Sequence, residues 1–405
     1  MTRRSNPLVL QFTLAMMAVV FLGGCANRGQ HKKWVDNADL RWNGMRATAL
    51  IDMAQGQFDS GQLDLAESTI RDAAAISPEN PKVHLLSGRI ALENGLLERA
   101  THHFGAALEK DDTLADAHYF RAVVFQRWQK NEDALADYQA AAKLDSEHPG
   151  RILAVAETLV TLDRTDEAVA LLEAKKVHFD QNAGCRAMLG HIHVMEGKYA
   201  QAVENFREAV LLDPENMRVK EELAFAQVAS QDWPEAVLSL RELTARDDYA
   251  HRNDLWRALA KAEAENGREN EARTVYLNLT RRNPGDVNDW IRLGEVCWKI
   301  EDLGGALIAA NRTINLAPKR HEGYLLAGLV WQKRERTHEA LQMFDAAAKA
   351  APANPTPVIL RGIALQKNDR LAAAAEAYRE ALRRSPDDTR ALSLLTRLEQ
   401  GAMAQ

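Results

Sequence analysis

The chain has 405 residues, of which 46 % are apolar and 27 % charged, and a net charge of −6. Such a composition suits a folded, water-facing protein and supplies no basic surface for a nucleic-acid partner. Three cysteines, Cys25, Cys185 and Cys297, cannot build a disulfide framework or a four-ligand zinc site. Ala, Leu and Glu recur throughout, and runs of Val, Ile and Thr alternating at period two are absent, so the composition predicts an all-α chain.

The first predicted element is an export signal over residues 1–24. Arg3 and Arg4 give it a positive start, and Leu8 to Leu22 is apolar apart from Gln11 and Thr13. A run of this length is shorter than the ~20 residues of a membrane span. By itself it suits a cleaved signal or an uncleaved anchor. The run Leu22-Gly23-Gly24-Cys25 resembles the lipobox of bacterial lipoproteins. The resemblance implies cleavage before Cys25, diacylglycerol on its thiol and acylation of the new amino terminus, hence membrane attachment through several acyl chains. Cleavage would remove Arg3 and Arg4 and no acid, lowering the net charge of residues 25–405 to −8. Ala26 stands where an Asp is associated with inner-membrane retention, which implies the outer membrane, facing the periplasm. Residues 25–46 read as a polar, lipidated tether, with Trp34 and Trp42 placed to pack on the first repeat.

From residue 47 a period of 34 takes over. Ala66, Ala100, Ala134, Ala168, Ala202, Ala236, Ala272, Ala306, Ala340 and Ala374 are spaced by 34, apart from one step of 36. Twelve residues before each alanine stands Ala or Gly, from Ala54 and Gly88 to Gly328 and Gly362, and four residues after it, in nine of the ten, a large residue such as Phe104, Tyr138 or Phe344, with Ala310 the exception. Pro284, Pro318, Pro352 and Pro386 keep the same period. Within each period two amphipathic helices are predicted, broken halfway by signals such as Asn94-Gly95 and Asn266-Gly267. The small residues let paired helices approach, the large residue is expected to fill the gap toward the next repeat, and proline stops the second helix.

This pattern resembles the tetratricopeptide repeat family, whose 34-residue signature has a small residue at position 8, Ala at 20, an aromatic at 24 and Pro at 32. The resemblance implies an all-α, right-handed solenoid of about ten helix-turn-helix repeats over 47–388. The boundaries are 47–80, 81–114, 115–148, 149–182, 183–216, 217–250, 253–286, 287–320, 321–354 and 355–388, with His251-Arg252 inserted. Asp112, Ser146, Asp180 and Asp248 replace the proline. Residues 389–405 read as a capping helix and tail, with Leu392, Leu395 and Leu398 on its apolar face.

Candidate chemistry is sparse. No Gly-rich phosphate loop occurs, and His321-Glu322 and His338-Glu339 lack the second His of a zinc-protease motif, since Leu325 and Gln342 stand there. The pairs Asp111-Asp112, Asp247-Asp248 and Asp387-Asp388 fall between repeats, where they are expected to cap the next helix. No catalytic, cofactor or metal residues are assigned, and no small-molecule substrate is expected. The resemblance implies binding of a protein or extended peptide in a concave groove lined by first helices. Its lining positions give Arg89, Tyr119 with Phe120, Phe225, Arg257, Lys261, Trp298 and, close by, Arg292: a groove with basic and aromatic character. The familiar Lys/Asn carboxylate clamp of the family is not reproduced in any run of adjacent repeats. The expected function is a non-enzymatic, membrane-tethered scaffold of the bacterial envelope. Narrower alternatives are a pilot-type lipoprotein of pilus or secretin assembly, and an accessory subunit of an envelope enzyme.

Overall fold

The computed structural model describes residues 7–175 and 181–403, with side chains over 32–175 and 181–400. Asp180 therefore lies outside the described residues, as does the side chain of Cys25. Among the described residues the backbone forms 21 α-helices, one short 3-10 helix and no strand. The chain divides into two compact units, Met1–Ile192 and His193–Gln405.

In the first unit, α1 (Pro7–Asp59) packs on α2 (Leu63–Ile76), α3 (Pro81–Glu93) on α4 (Leu97–Lys110), α5 (Ala115–Arg127) on α6 (Asn131–Leu144), and α7 (Pro149–Thr161) on α8 (Thr165–Lys175). The unit boundary falls within α9 (Ala183–Met195). The second unit contains α10 (Tyr199–Leu212), α11 (Met217–Ala229), α12 (Trp233–Thr244), α13 (Asn253–Glu265), α14 (Glu269–Arg282), α15 (Val287–Lys299) and α16 (Leu303–Leu316). It continues with α17 (Glu322–Lys333), α18 (Thr337–Ala350), α19 (Thr356–Gln366), α20 (Leu371–Arg384) and α21 (Thr389–Met403).

One packing rule repeats. All ten alanines of the 34-residue ladder are completely buried, because a side chain larger than methyl would hold the paired helices apart. Glycine at the eighth position admits an aromatic ring. A Cβ on Gly88 would lie 2.6 Å from Phe104, and one on Gly328 or Gly362 2.5 Å from Phe344 or Tyr378. The large residue thus fills the space inside its own repeat rather than reaching only toward the next, although Phe104 also stacks on Phe120 with centroids 6.0 Å apart.

The turn inside each pair is equally regular. Gly61, Gly95, Gly197 and Gly267 have φ of 71–74°, and Gln129, Asp163, Gln231, Glu301, Glu335 and Asp369 take φ of 58–63° at the equivalent place. Around Gly95, the amide of Leu96 donates to the carbonyl of Ala91 (2.8 Å) and that of Gly95 to Leu92 (3.0 Å), a closure that needs left-handed backbone. The same pair of bonds surrounds Gln129.

Three details depart from the sequence reading. Residues 25–46, read as a polar tether, are helical, being part of α1 and continuous with the first repeat, and Trp34 and Trp42 do not pack on it; they are 77 % and 64 % exposed. The stretch from Ala26 to Asp59 contains no proline, so nothing in it stops a helix. In α21 it is Ala391, Leu394, Leu395 and Leu398 that pack on the core, whereas Leu392 faces outward. Of the acidic pairs, only Asp388 caps its helix, accepting from the amides of Arg390 and Ala391. Asp111 instead accepts from Thr113, and Asp247 and Asp248 lie in the 3-10 helix Asp247–Tyr249 beside the two-residue insertion.

Candidate partner-binding surface

In the first unit, Arg89, Tyr119 and Phe120 come together on α3 and α5. The Arg89 guanidinium lies 4.5 Å from the Phe58 ring centroid and 5.0 Å from that of Phe120, and donates to Gln55 at 3.0 Å. Tyr119 meets Phe120 edge-on and sits 5.4 Å from Tyr138. These groups are half-buried in contacts between repeats, so much of their attraction is already used in the fold.

In the second unit, Arg257, Lys261 and Arg292 line one cleft of about 450 Å³ between α13 and α15. Phe225 is 37 % exposed on α11, and Trp298 is half-buried against the core of the unit; neither lines this cleft. Arg257 is held by two carboxylates. Its Nε donates to Asp289 Oδ1 at 2.7 Å, and its Nη2 to Asp289 Oδ2 at 3.0 Å and Asp286 Oδ2 at 2.7 Å. Hydrogen bonding to Asp289 raises the Arg257 pKa above its ordinary value. Asp289 is only 2 % exposed, so the pair joins two repeats. Arg292 donates to Glu295 at 2.7 Å, and the Lys261 ammonium lies 5.7 Å from the Trp233 ring.

The cleft is therefore less basic than the sequence suggested. Glu265, Asp289 and Glu295 line it beside Arg257, Lys261, Arg292 and Lys299. Asp289 and Glu295 follow Arg257 by 32 and 38 residues, which is why reading one helix at a time missed them. Lys299, Asn288 and Tyr276 were also missed. Tyr276 occupies the core aromatic position of its repeat, and burial pushes its phenol up to about 12.

Among the described residues, no group of three or more His, Cys, Asp or Glu side chains is placed to hold a metal ion. No described helix is long and apolar enough to cross a membrane. Cys185 and Cys297 are buried free thiols, and burial raises the pKa of both, which disfavours the reactive thiolate.

Sequence models of the tetratricopeptide repeat match residues 51–149, 193–296 and 325–398, more than half of the chain. The chain is 22 % identical over 362 residues to cellulose synthase operon protein C of Pseudomonas fluorescens (strain SBW25), covering 76 % of this chain and 28 % of the relative. It is 24 % identical over 227 residues to superkiller complex protein 3 of Mus musculus, covering 45 % and 14 %. It thus spans well under half the length of these relatives. Among solved structures, a thermophilic TPR protein of Thermus thermophilus is similar at 16 % identity and a TM-score of 0.36, over 45 % of this chain and 99 % of that one. Tetratricopeptide repeats mediate protein–protein interaction and scaffolding. With its ten buried alanines, its repeated turn and these matches, the chain belongs to the tetratricopeptide repeat family.

Proposed function

We propose that this protein is a non-enzymatic scaffold, tethered to the bacterial envelope through acyl chains on Cys25, that holds a protein or extended peptide on the first-helix faces of its repeats. The observation carrying this reading is the α13–α15 cleft. Lys261, Arg292 and Lys299 converge there, exposed and not needed by the core. The Leu22-Gly23-Gly24-Cys25 run supports the tether, and Ala26 supports an outer-membrane site facing the periplasm. Of the narrower readings, similarity to a cellulose synthase operon protein favours an accessory subunit of an envelope enzyme over a pilot lipoprotein.

The test compares tagged wild-type protein with a Lys261→Gln, Arg292→Gln, Lys299→Gln variant in detergent-solubilised envelopes, with captured proteins quantified by mass spectrometry. Arg257 is left intact because Asp289 depends on it. The variant should lose most of the specific capture while its helical signal and melting temperature stay unchanged. Undiminished capture would remove this cleft as the binding surface.

A further inference from the structure

Three repeats carry tyrosine at the same place on their second helix: Tyr138, Tyr276 and Tyr378, each buried by its ring. In two of them the hydroxyl is anchored. Tyr138 donates to Gln126 Oε1 at 2.9 Å and Tyr378 to Gln366 Oε1 at 2.8 Å, in both cases a glutamine twelve residues earlier. Twelve residues before Tyr276 stands Ala264, which has nothing to accept the bond. The Tyr276 hydroxyl makes no hydrogen bond among the described residues, and the tyrosine lines the α13–α15 cleft together with Ala264. The Tyr276 phenol, neutral at pH 7 even at its ordinary value, is pushed further up by burial, so the O–H is there to donate.

The groups around it are mostly cations and donors. Among the described residues, Lys261 meets only the Trp233 ring and Lys299 pairs with no carboxylate. Asn288 Oδ1 accepts from Arg320 at 2.9 Å, which leaves the amide N–H groups of Asn288 to donate. The acids are largely committed: Asp289 to Arg257 and Glu295 to Arg292. Glu265 is the remaining carboxylate on the wall, so Lys261 and Lys299 exceed it by one positive charge, which one further acid would balance.

We propose that this cleft receives one acidic side chain of a protein partner, its carboxylate accepting from Tyr276 Oη and pairing with Lys261 and Lys299. The proposal rests on the reading that this face binds a peptide. It adds a spacing. Phe225 holds on α11 the place that Lys261 holds on α13, and these two helices touch. Neighbouring helices lie about 8–10 Å apart and an extended chain advances about 3.3 Å per residue, so the acid falls about three residues from an apolar side chain seated on Phe225.

The experiment pans a library of random twelve-residue peptides on the purified full chain and on the Tyr276→Phe and Ala264→Gln variants. Ala264→Gln restores the anchor found in the two sister repeats while removing no charge and no ring. The wild-type pool should be enriched in Asp or Glu three residues from a large apolar residue, and both variant pools should lose the acid. A synthetic peptide from the wild-type pool should bind each variant about tenfold more weakly, and its Glu→Gln form should bind all three proteins alike. A pool without acid enrichment, or equal affinity for wild type and both variants, overturns the proposal. If the Lys261, Arg292, Lys299 variant loses partner capture while Tyr276→Phe and Ala264→Gln bind the peptide as wild type does, only this inference fails. If that triple variant captures normally, the peptide-binding reading beneath it fails.

Discussion

At the inner turn of six repeats a residue with a side chain occupies backbone that glycine occupies in the other four. Left-handed backbone costs a non-glycine residue about 1–2 kcal/mol, part of which glycine returns through its greater freedom in the unfolded chain. Gln129→Gly, Glu301→Gly and Glu335→Gly should therefore each raise stability by about 0.5–1 kcal/mol, and Gly95→Ala should lower it by about 1 kcal/mol, read as shifts in the urea midpoint. The opposite sensitivity belongs to the buried ladder. Ala202→Leu and Ala340→Leu overpack a completely buried contact and should cost about 1–3 kcal/mol each by the same measurement. These two residue classes were unequally legible. The alanines announce themselves by period, since the same contact recurs in every repeat. The turns were recognised at Gly95 and Gly267 but not at Gln129 or Glu301, because hydrogen bonding of the preceding helix end, not residue type, imposes the conformation there.

At the scale of elements, what the sequence concealed is pairing between repeats. Arg257 read as a groove cation because it stands on the exposed side of α13; its partners arrive from the start of α15. Removing it strands a buried carboxylate, so Arg257→Ala should cost about 2 kcal/mol or more, less than a fully buried pair because Arg257 itself is part-exposed. A differential melt against Lys261→Gln, which should shift little, checks this. His103 on α4 gives the element a pH signature. Burial is the main cause lowering its pKa, followed by the nearby His84, whose ring centroid is 6.1 Å away. The unfolded chain then takes up this proton more readily than the folded one. The stability due to neutral His103 is retained above about pH 6.5, the ordinary value, and declines as pH falls below it. Carboxyls held below their ordinary range, such as Asp302 by the Gly305 amide and Glu322 by Arg320, add their loss only at lower pH, below about 4. Urea midpoints measured between pH 7 and pH 5 should fall for the wild type and fall less for His103→Gln; parallel slopes would show that His103 does not set the response.

For the molecule as a whole the open question is attachment. The signal reading rests on an apolar stretch that follows Arg3 and Arg4 and ends in Leu22-Gly23-Gly24-Cys25, a pattern with few other uses. The helix over the segment after it was not anticipated, because a polar composition says little about helix where no proline interrupts it. With Cys25 inside α1, about 50 Å of helix separates the cysteine from Asp59 at the first inner turn, taking a rise of 1.5 Å per residue. A chain held by lipid at one end of such a helix would present its repeats away from the bilayer surface, where a protein partner can reach them. Thioether acylation requires sulfur, so Cys25→Ser should abolish labelling by radioactive palmitate and leave the protein either uncut or in the soluble fraction. Several acyl chains bind a membrane far more firmly than one, so a partial shift between fractions would point to a peripheral contact, with the exposed Trp34 and Trp42 as its first candidates. A Cys25→Ser protein that is still cut, labelled and sedimented with membranes to the wild-type extent would remove the lipid anchor.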